Sequence, residues 1–241
     1  MIDIVKHYSR GLSRPRIIIA VFCALLWQEN AVAGTSDWRP RVKTALDNLD
    51  ATNLDEDWYF NMEVLEEDKL QLIYSDPRRD TYEKRQLLTV NGLAPDSQQL
   101  AEFHDAEVKR IDDIDPDAVG YGYMVDMETL NLLEVSDGHA IFSFVPRVKR
   151  LENSRDQLRG TLLLDPATQQ IKVIEIVNVD ELSPAFSVTL DTFQLRLSFE
   201  QEQGANLLQT LESHTVGRMG FVKSFDALVT VDFSEYTRAQ P

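Results

Sequence analysis

The most constraining stretch of this chain is residues 221–233, where Phe221, Phe225, Ala227, Val229, Val231 and Phe233 alternate with Val222, Ser224, Asp226, Leu228, Thr230 and Asp232. Successive side chains of a strand point to opposite faces, so this two-residue period predicts a strand with one apolar face and one mostly polar face. Only Lys223 interrupts the apolar phase. The stretch is far longer than the usual strand of about five or six residues, and a strand of that length belongs in a large, strongly curved antiparallel sheet.

The earlier segments supply its partners. Val42, Ala45, Leu46 and Leu49 share one helical face within residues 41–54, which predicts an amphipathic helix packed on the sheet. Trp58, Phe60, Met62 and Val64 then alternate with polar neighbours, Glu66-Glu67-Asp68 forms a turn, and Leu70, Leu72 and Tyr74 are expected on the apolar face of the returning strand. Residues 85–90 read as a third strand ending in the tight-turn pair Asn91-Gly92. Asp96 or Ser97 can cap a helix whose apolar positions are Leu100, Phe103, Val108 and Ile111. Strand character is expected again over residues 121–125, 130–135, 140–145, 161–164, 171–179 and 207–216. Apolar groups at both parities of residues 171–179 suggest a central strand covered on both faces. Between Phe186 and Phe199 the apolar phase switches from even to odd, so a bulge or bend near Asp191-Thr192 is expected. About ten strands and two substantial helices, with strands in consecutive runs, define an α+β protein with a large antiparallel sheet rather than a parallel nucleotide-binding sheet.

The first thirty-three residues read differently. Lys6, Arg10, Arg14 and Arg16 precede an apolar run over residues 17–27, followed by Ala31-Val32-Ala33. That is the pattern of a secretory signal peptide cleaved after Ala33, and the run is too short for the roughly twenty residues of a membrane span. Cys23 follows Ala20-Val21-Phe22, where bulky Phe22 stands against a lipid-attachment motif, and it departs with the peptide. The expected product is periplasmic, has no cysteine, and forms a single domain over residues 34–241 whose stability must come from its core. With the leader removed, 20 basic residues stand against 38 acidic, a charge of −18. Such a field repels nucleic acid and anionic membrane surfaces, and no stable membrane span is expected after cleavage. Against this acidity, Arg147, Lys149, Arg150, Arg155 and Arg159 form one basic island, expected as a solvated connection able to meet an acidic partner.

Motifs of chemistry are weak throughout. His104, His139 and His214 have no metal-ligand spacing. Asp113, Asp115 and Asp117 begin like a calcium loop, but Ala118 stands where glycine is required and Met124 where glutamate is required. Gly-x-Ser-x-Gly and both glycine-rich phosphate loops are absent. No catalytic residue, metal or cofactor is therefore expected. The remaining candidate is apolar: Trp58, Phe60, Met62, Phe193, Leu195, Phe225, Val229 and Phe233 can share one sheet face and line a groove for acyl chains, or form ordinary core.

The leader, early helix and long first hairpin combine with Tyr74-Ser75-Asp76-Pro77, Val90-Asn91-Gly92-Leu93-Ala94-Pro95 and residues 160–166 with the late strands. This layout resembles exported proteobacterial proteins related to the LolA/LolB lipoprotein-sorting superfamily and the sensor RseB. The resemblance implies a half-open barrel-like sheet, helices covering its concave side, and an apolar interior that receives acyl chains. Arg85 lies in the third strand, but no motif equates it with that family's lid-closing arginine. The function expected is a periplasmic, non-enzymatic protein binding a lipid or lipoprotein acyl chain. The alternatives are an envelope-protein interaction or stress-sensing module with a closed core, and an unrecognised hydrolase.

Overall fold

Alternation is realised as one antiparallel sheet. The computed structural model describes residues 38–114, 120–136, 138–220 and 223–240; the signal-peptide reading, Phe221, Val222, and Asp115 and Asp117 of the calcium-like run lie outside the described residues. Ser36–Pro241 forms one compact unit. Its helices are α1 (Trp38–Asp50), α2 (Leu54–Asp57), α3 (Ser97–Asp112) and α4 (Tyr121–Met124). The strands are β1 (Trp58–Glu66), β2 (Lys69–Ser75), β3 (Arg85–Val90), β4 (Asn131–Ser136), β5 (His139–Phe144), β6 (Leu158–Asp165), β7 (Gln170–Asn178), β8 (Leu182–Ala185), β9 (Val188–Glu202), β10 (Ala205–Met219) and β11 (Lys223–Arg238). They run in the order β3-β2-β1-β11-β10-β9-β7-β6-β5-β4, with β8 paired to β9, so the sheet is not closed.

The long alternating stretch is the N-terminal part of β11, which joins the first hairpin to the late strands: Met62 pairs with Phe233 and Thr215 with Ala227. Near its end the phase shifts. Tyr59 pairs with Thr237 but Asn61 with Ser234, and Glu235 takes a positive φ of 57°. This bulge turns both Phe233 and Tyr236 toward Phe60, whose ring lies 5.9 and 5.7 Å from theirs. The bulge expected near Asp191 is present as well: Val216 pairs with Thr192 and Gly217 with Leu190, leaving Asp191 as the extra residue.

One face of the sheet is covered. α1 buries Val42, Ala45, Leu46 and Leu49, the four positions its periodicity marked, and lies against β7 and β10. Trp38 meets Phe142 edge-on at 5.8 Å. At the other end of α1, the Asp50 carboxylate accepts the N–H groups of Tyr121 and Gly122 at 2.5 and 2.9 Å. Residues 121–124 therefore wind into α4 instead of the expected strand, because a carboxylate at a helix start satisfies amides a strand would have to pair elsewhere. Tyr121 then sits edge-on to Phe199 at 5.0 Å.

Four further expectations change. Pairing of Met62 with Ile73 and Phe60 with Ser75 puts the odd positions of β2 on the covered face. Ile73 and Ser75 are buried, while Leu70 is exposed and Tyr74 stacks on Tyr59 on the opposite face. α3 begins with a capping box between Asp96 and Gln99, yet it buries no residue and flanks β3. Ile171, Ile174 and Ile176 of β7 are buried, but Val173 and Val177 on its other face are only half-buried, so one face of this strand is deep and the other partly wet. The basic island is not wholly solvated: Arg147 and Arg155 turn inward onto Asp126, itself 6% exposed, and Leu151 is buried.

Candidate functional site

Register assigns the eight apolar candidates to one face. Val64 pairs with Val231, and Val231 with Leu211; Val229 pairs with Ser213, and Ser213 with Leu195; Ala227 pairs with Thr215, and Thr215 with Phe193; Phe225 pairs with Gly217, and Gly217 with Leu190. Met62 and Phe233 form the next row outward through β1. All eight therefore share the covered face, as paired residues and residues two apart must.

Along that face they separate into two groups. Trp58, Phe60, Met62 and Phe233 are core, exposed by 2%, 1%, 3% and 8%. Phe193, Leu195, Phe225 and Val229 are half-buried, although they are packed against the core or adjoin residues that are. Between them runs β10, whose residues on this face are Leu211, Ser213, Thr215 and Gly217. A small-residue strand between two strands carrying Phe193 and Leu195 on one side and Phe225, Ala227 and Val229 on the other makes a trough. Its end is partly filled: a Cβ at Gly217 would lie 2.9 Å from Phe225 Cζ, so the Phe225 ring lies across that glycine. This floor lies outside the set of large apolar side chains, although its signal is present in the alternating Ser213, Thr215 and Gly217.

From Leu211 to Met219 the strip runs for about 27 Å at the usual strand rise. An acyl chain spanning one leaflet, about half of a 30 Å hydrocarbon core, is shorter than that. The strip offers little polarity beyond the hydroxyls of half-buried Ser213 and Thr215.

The opposite face is polar and ionic. Arg196 lies 3.7 Å from Glu175 and 3.9 Å from Glu212, and Thr210 donates to Asp232 at 3.1 Å. His214 Nε2 lies 2.9 Å from Asp226 Oδ1; this exposed pair stands across the sheet from Ser213. Arg85 in β3 contacts Asp55 at 3.1 Å beside a recess of about 390 Å³ that also includes Leu87, Leu100, Phe103 and His104. His139 is exposed at the start of β5. Among the described residues no three His, Cys, Asp or Glu side chains are placed to hold a metal.

Three titrating groups are displaced by their packing and ion pairs. Burial, assisted by Asp50 and Asp55, pushes the Tyr121 hydroxyl up to about 12. Burial likewise raises Tyr236, whose hydroxyl donates to the Leu208 carbonyl. Asp126 is pushed up by burial, but Arg155, the Glu128 N–H and Arg147 outweigh this and hold its carboxyl below the usual range.

No family model, curated protein or solved structure matches the chain. Among the described residues no helix is long and apolar enough to cross a membrane.

Proposed function

We propose that this is a periplasmic, non-enzymatic binding protein that lays an acyl chain of a lipid or lipoprotein in the trough over Ser213 and Thr215. The observation that carries this reading is a floor of small residues between half-buried apolar walls, Phe193 and Leu195 facing Ala227 and Val229, continuous with the core. Exposed apolar surface of this kind is costly in water and is a recurrent property of ligand grooves. The likeness in layout to the LolA/LolB superfamily points the same way.

A competing reading is an envelope-protein interaction module. It is favoured by Trp58, Phe60, Met62 and Phe233, half of the candidate set, which are consumed in packing and have no surface left for a ligand. Native mass spectrometry of the exported protein, followed by lipid extraction, separates the two. A stoichiometric added mass that extracts as lipid supports the trough. Protein that stays bare after incubation with phospholipid and an acylated peptide overturns it and leaves the module.

A further inference from the structure

The face of the sheet away from the trough carries a patch of leucines. Leu65 in β1 pairs with Leu70 in β2 and, on its other side, with Thr230 in β11. Residues two apart in a strand share a face, so Leu72 continues this row along β2 and Leu228 lies diagonally from Leu65 on β11. Leu65, Leu70 and Leu228 are 46%, 40% and 43% exposed, and Leu72 is half-buried. Single exposed leucines are ordinary, but four that adjoin on three neighbouring strands make a contiguous apolar patch. Neighbouring strands lie about 4.8 Å apart, so the patch is about 10 Å wide, the diameter of one α-helix.

The surroundings of the patch are acidic. Glu63 pairs with Leu72 on one side and Asp232 on the other, Glu212 pairs with Thr230, and Asp226 lies two residues before Leu228. All four carboxylates are exposed. His214 meets Asp226, and Arg196 approaches Glu212 only to 3.9 Å. Glu63 and Asp232 stand directly opposite each other, which is unfavourable for like charges, and among the described residues no lysine or arginine pairs with either. Lys69 adjoins Leu70 but alternates to the other face of β2.

We propose that this patch docks a basic amphipathic helix of a protein partner, with apolar side chains on the leucines and lysines or arginines reaching the carboxylates around them. Charge selects this occupant. A second copy would bring the same carboxylates against these, and an anionic headgroup layer would be repelled, whereas a cation placed between Glu63 and Asp232 relieves their repulsion. β2, β1 and β11 each have a neighbour on both sides, so the partner cannot add a strand here, and a helix laid along them matches the width. The trough lies on the other face of the sheet, so this docking does not rest on the acyl-chain reading.

Fluorescence anisotropy tests the proposal, with a labelled helical leucine/lysine peptide of about 18 residues, or five turns, titrated with the exported protein. Binding is expected, weakened severalfold between about 0.05 and 0.5 M salt. Leu65→Ser and Leu228→Ser should each weaken it about tenfold at an unchanged melting temperature, since both side chains are already nearly half exposed. Glu63→Gln should weaken it severalfold while holding or raising the melting temperature, because it removes one of two opposed charges. Absence of binding by the wild type overturns the proposal, as does equal binding by both leucine variants. So does equal binding of a lysine/serine peptide, which is attraction by charge alone. Binding lost in Ser213→Leu but kept in Leu65→Ser puts the peptide in the trough and overturns it too. Sedimentation of the protein alone and flotation with phospholipid vesicles read the other occupants: self-association or vesicle binding that Leu65→Ser abolishes gives the patch to a second copy or a bilayer instead.

Discussion

Two parts of the same sheet face share a sequence pattern and differ in fate. In β6 and β7, Leu158, Leu162, Leu164, Ile171 and Ile176 are 0% exposed, and Phe144 lies across Gly160 so closely that a Cβ there would collide with its ring. Along β9–β11, Phe193, Leu195, Phe225 and Val229 are only half-buried. Both sets share one face of the sheet, with residues of the other face between them, although a bulge at Lys172 shifts the phase between Ile171 and Ile176. Alternation therefore assigns a side chain to a face but not the depth at which it will lie. Depth is decided by what stands opposite, and on this face that is the Val42, Ala45, Leu46 and Leu49 row of α1.

The contrast can be broken hardest in the packed part. Phe60→Ala removes a ring that is 1% exposed and touches both Phe233 and Tyr236, and should cost about 3–5 kcal/mol, read as the midpoint shift in urea unfolding. If Phe60→Ala costs no more than a substitution at half-buried Val229, the two parts are not packed differently. Next in size is the clamp that holds α4 onto α1. Asp50→Ala leaves the Tyr121 and Gly122 amides without their acceptor and should cost about 1–2 kcal/mol. Its local signature is faster hydrogen exchange at those two amides.

Acid sharpens the same comparison. Asp126 lies in the packed part with its carboxyl held below the usual range, so it binds a proton less readily folded than unfolded. Its contribution is fully present above the ordinary carboxylate pKa of about 4 and is lost as pH falls through the lower folded value. Asp126→Ala should therefore cost about 1–2 kcal/mol at neutral pH, less than a fully buried pair because Arg155 and Arg147 are 34% and 42% exposed. The difference between variant and wild type should shrink as unfolding is repeated at falling pH below about 4. A gap that stays constant down to pH 2 would show that Asp126 acts through packing alone.

Much of this was legible because it is local. The helical face of α1, the limits of β1 and β3 and the Asn91-Gly92 turn follow from short periods and turn chemistry; Asn91 and Gly92 indeed take φ of 51° and 78°. The Asp191 bulge was readable from a change of phase alone. What failed depended on distant partners. Residues 121–124 have strand-like composition, but the group that winds them is Asp50, 71 residues earlier. The phase of β2 is not legible in its composition, because Leu70, Leu72 and Tyr74 outweigh Ile73 in apolar bulk, while pairing with β1 decides the face. Phe186 shares the even apolar phase of Val188 and Leu190 but tops the turn before β9. The trough is hidden in the sequence for another reason: bulk marks an apolar face, and its floor is made of small residues.

The smallest expected effect on stability bears most directly on function. Ser213 sits at mid-floor, half-buried, paired with Val229 on one side and Leu195 on the other. Ser213→Leu adds apolar volume to space that is already partly open to solvent, so overpacking is avoided and stability should change by less than about 1 kcal/mol in either direction. The added isobutyl group occupies the position where an acyl chain would lie. Lipid recovered by extraction should therefore fall severalfold relative to wild type, with the melting temperature held. Leu195→Ile, which keeps wall volume, should leave the lipid load unchanged. A Ser213→Leu protein that retains its full load would move the ligand out of the trough, and one that unfolds would mean that this stretch of β10 is packed as tightly as β6 and β7.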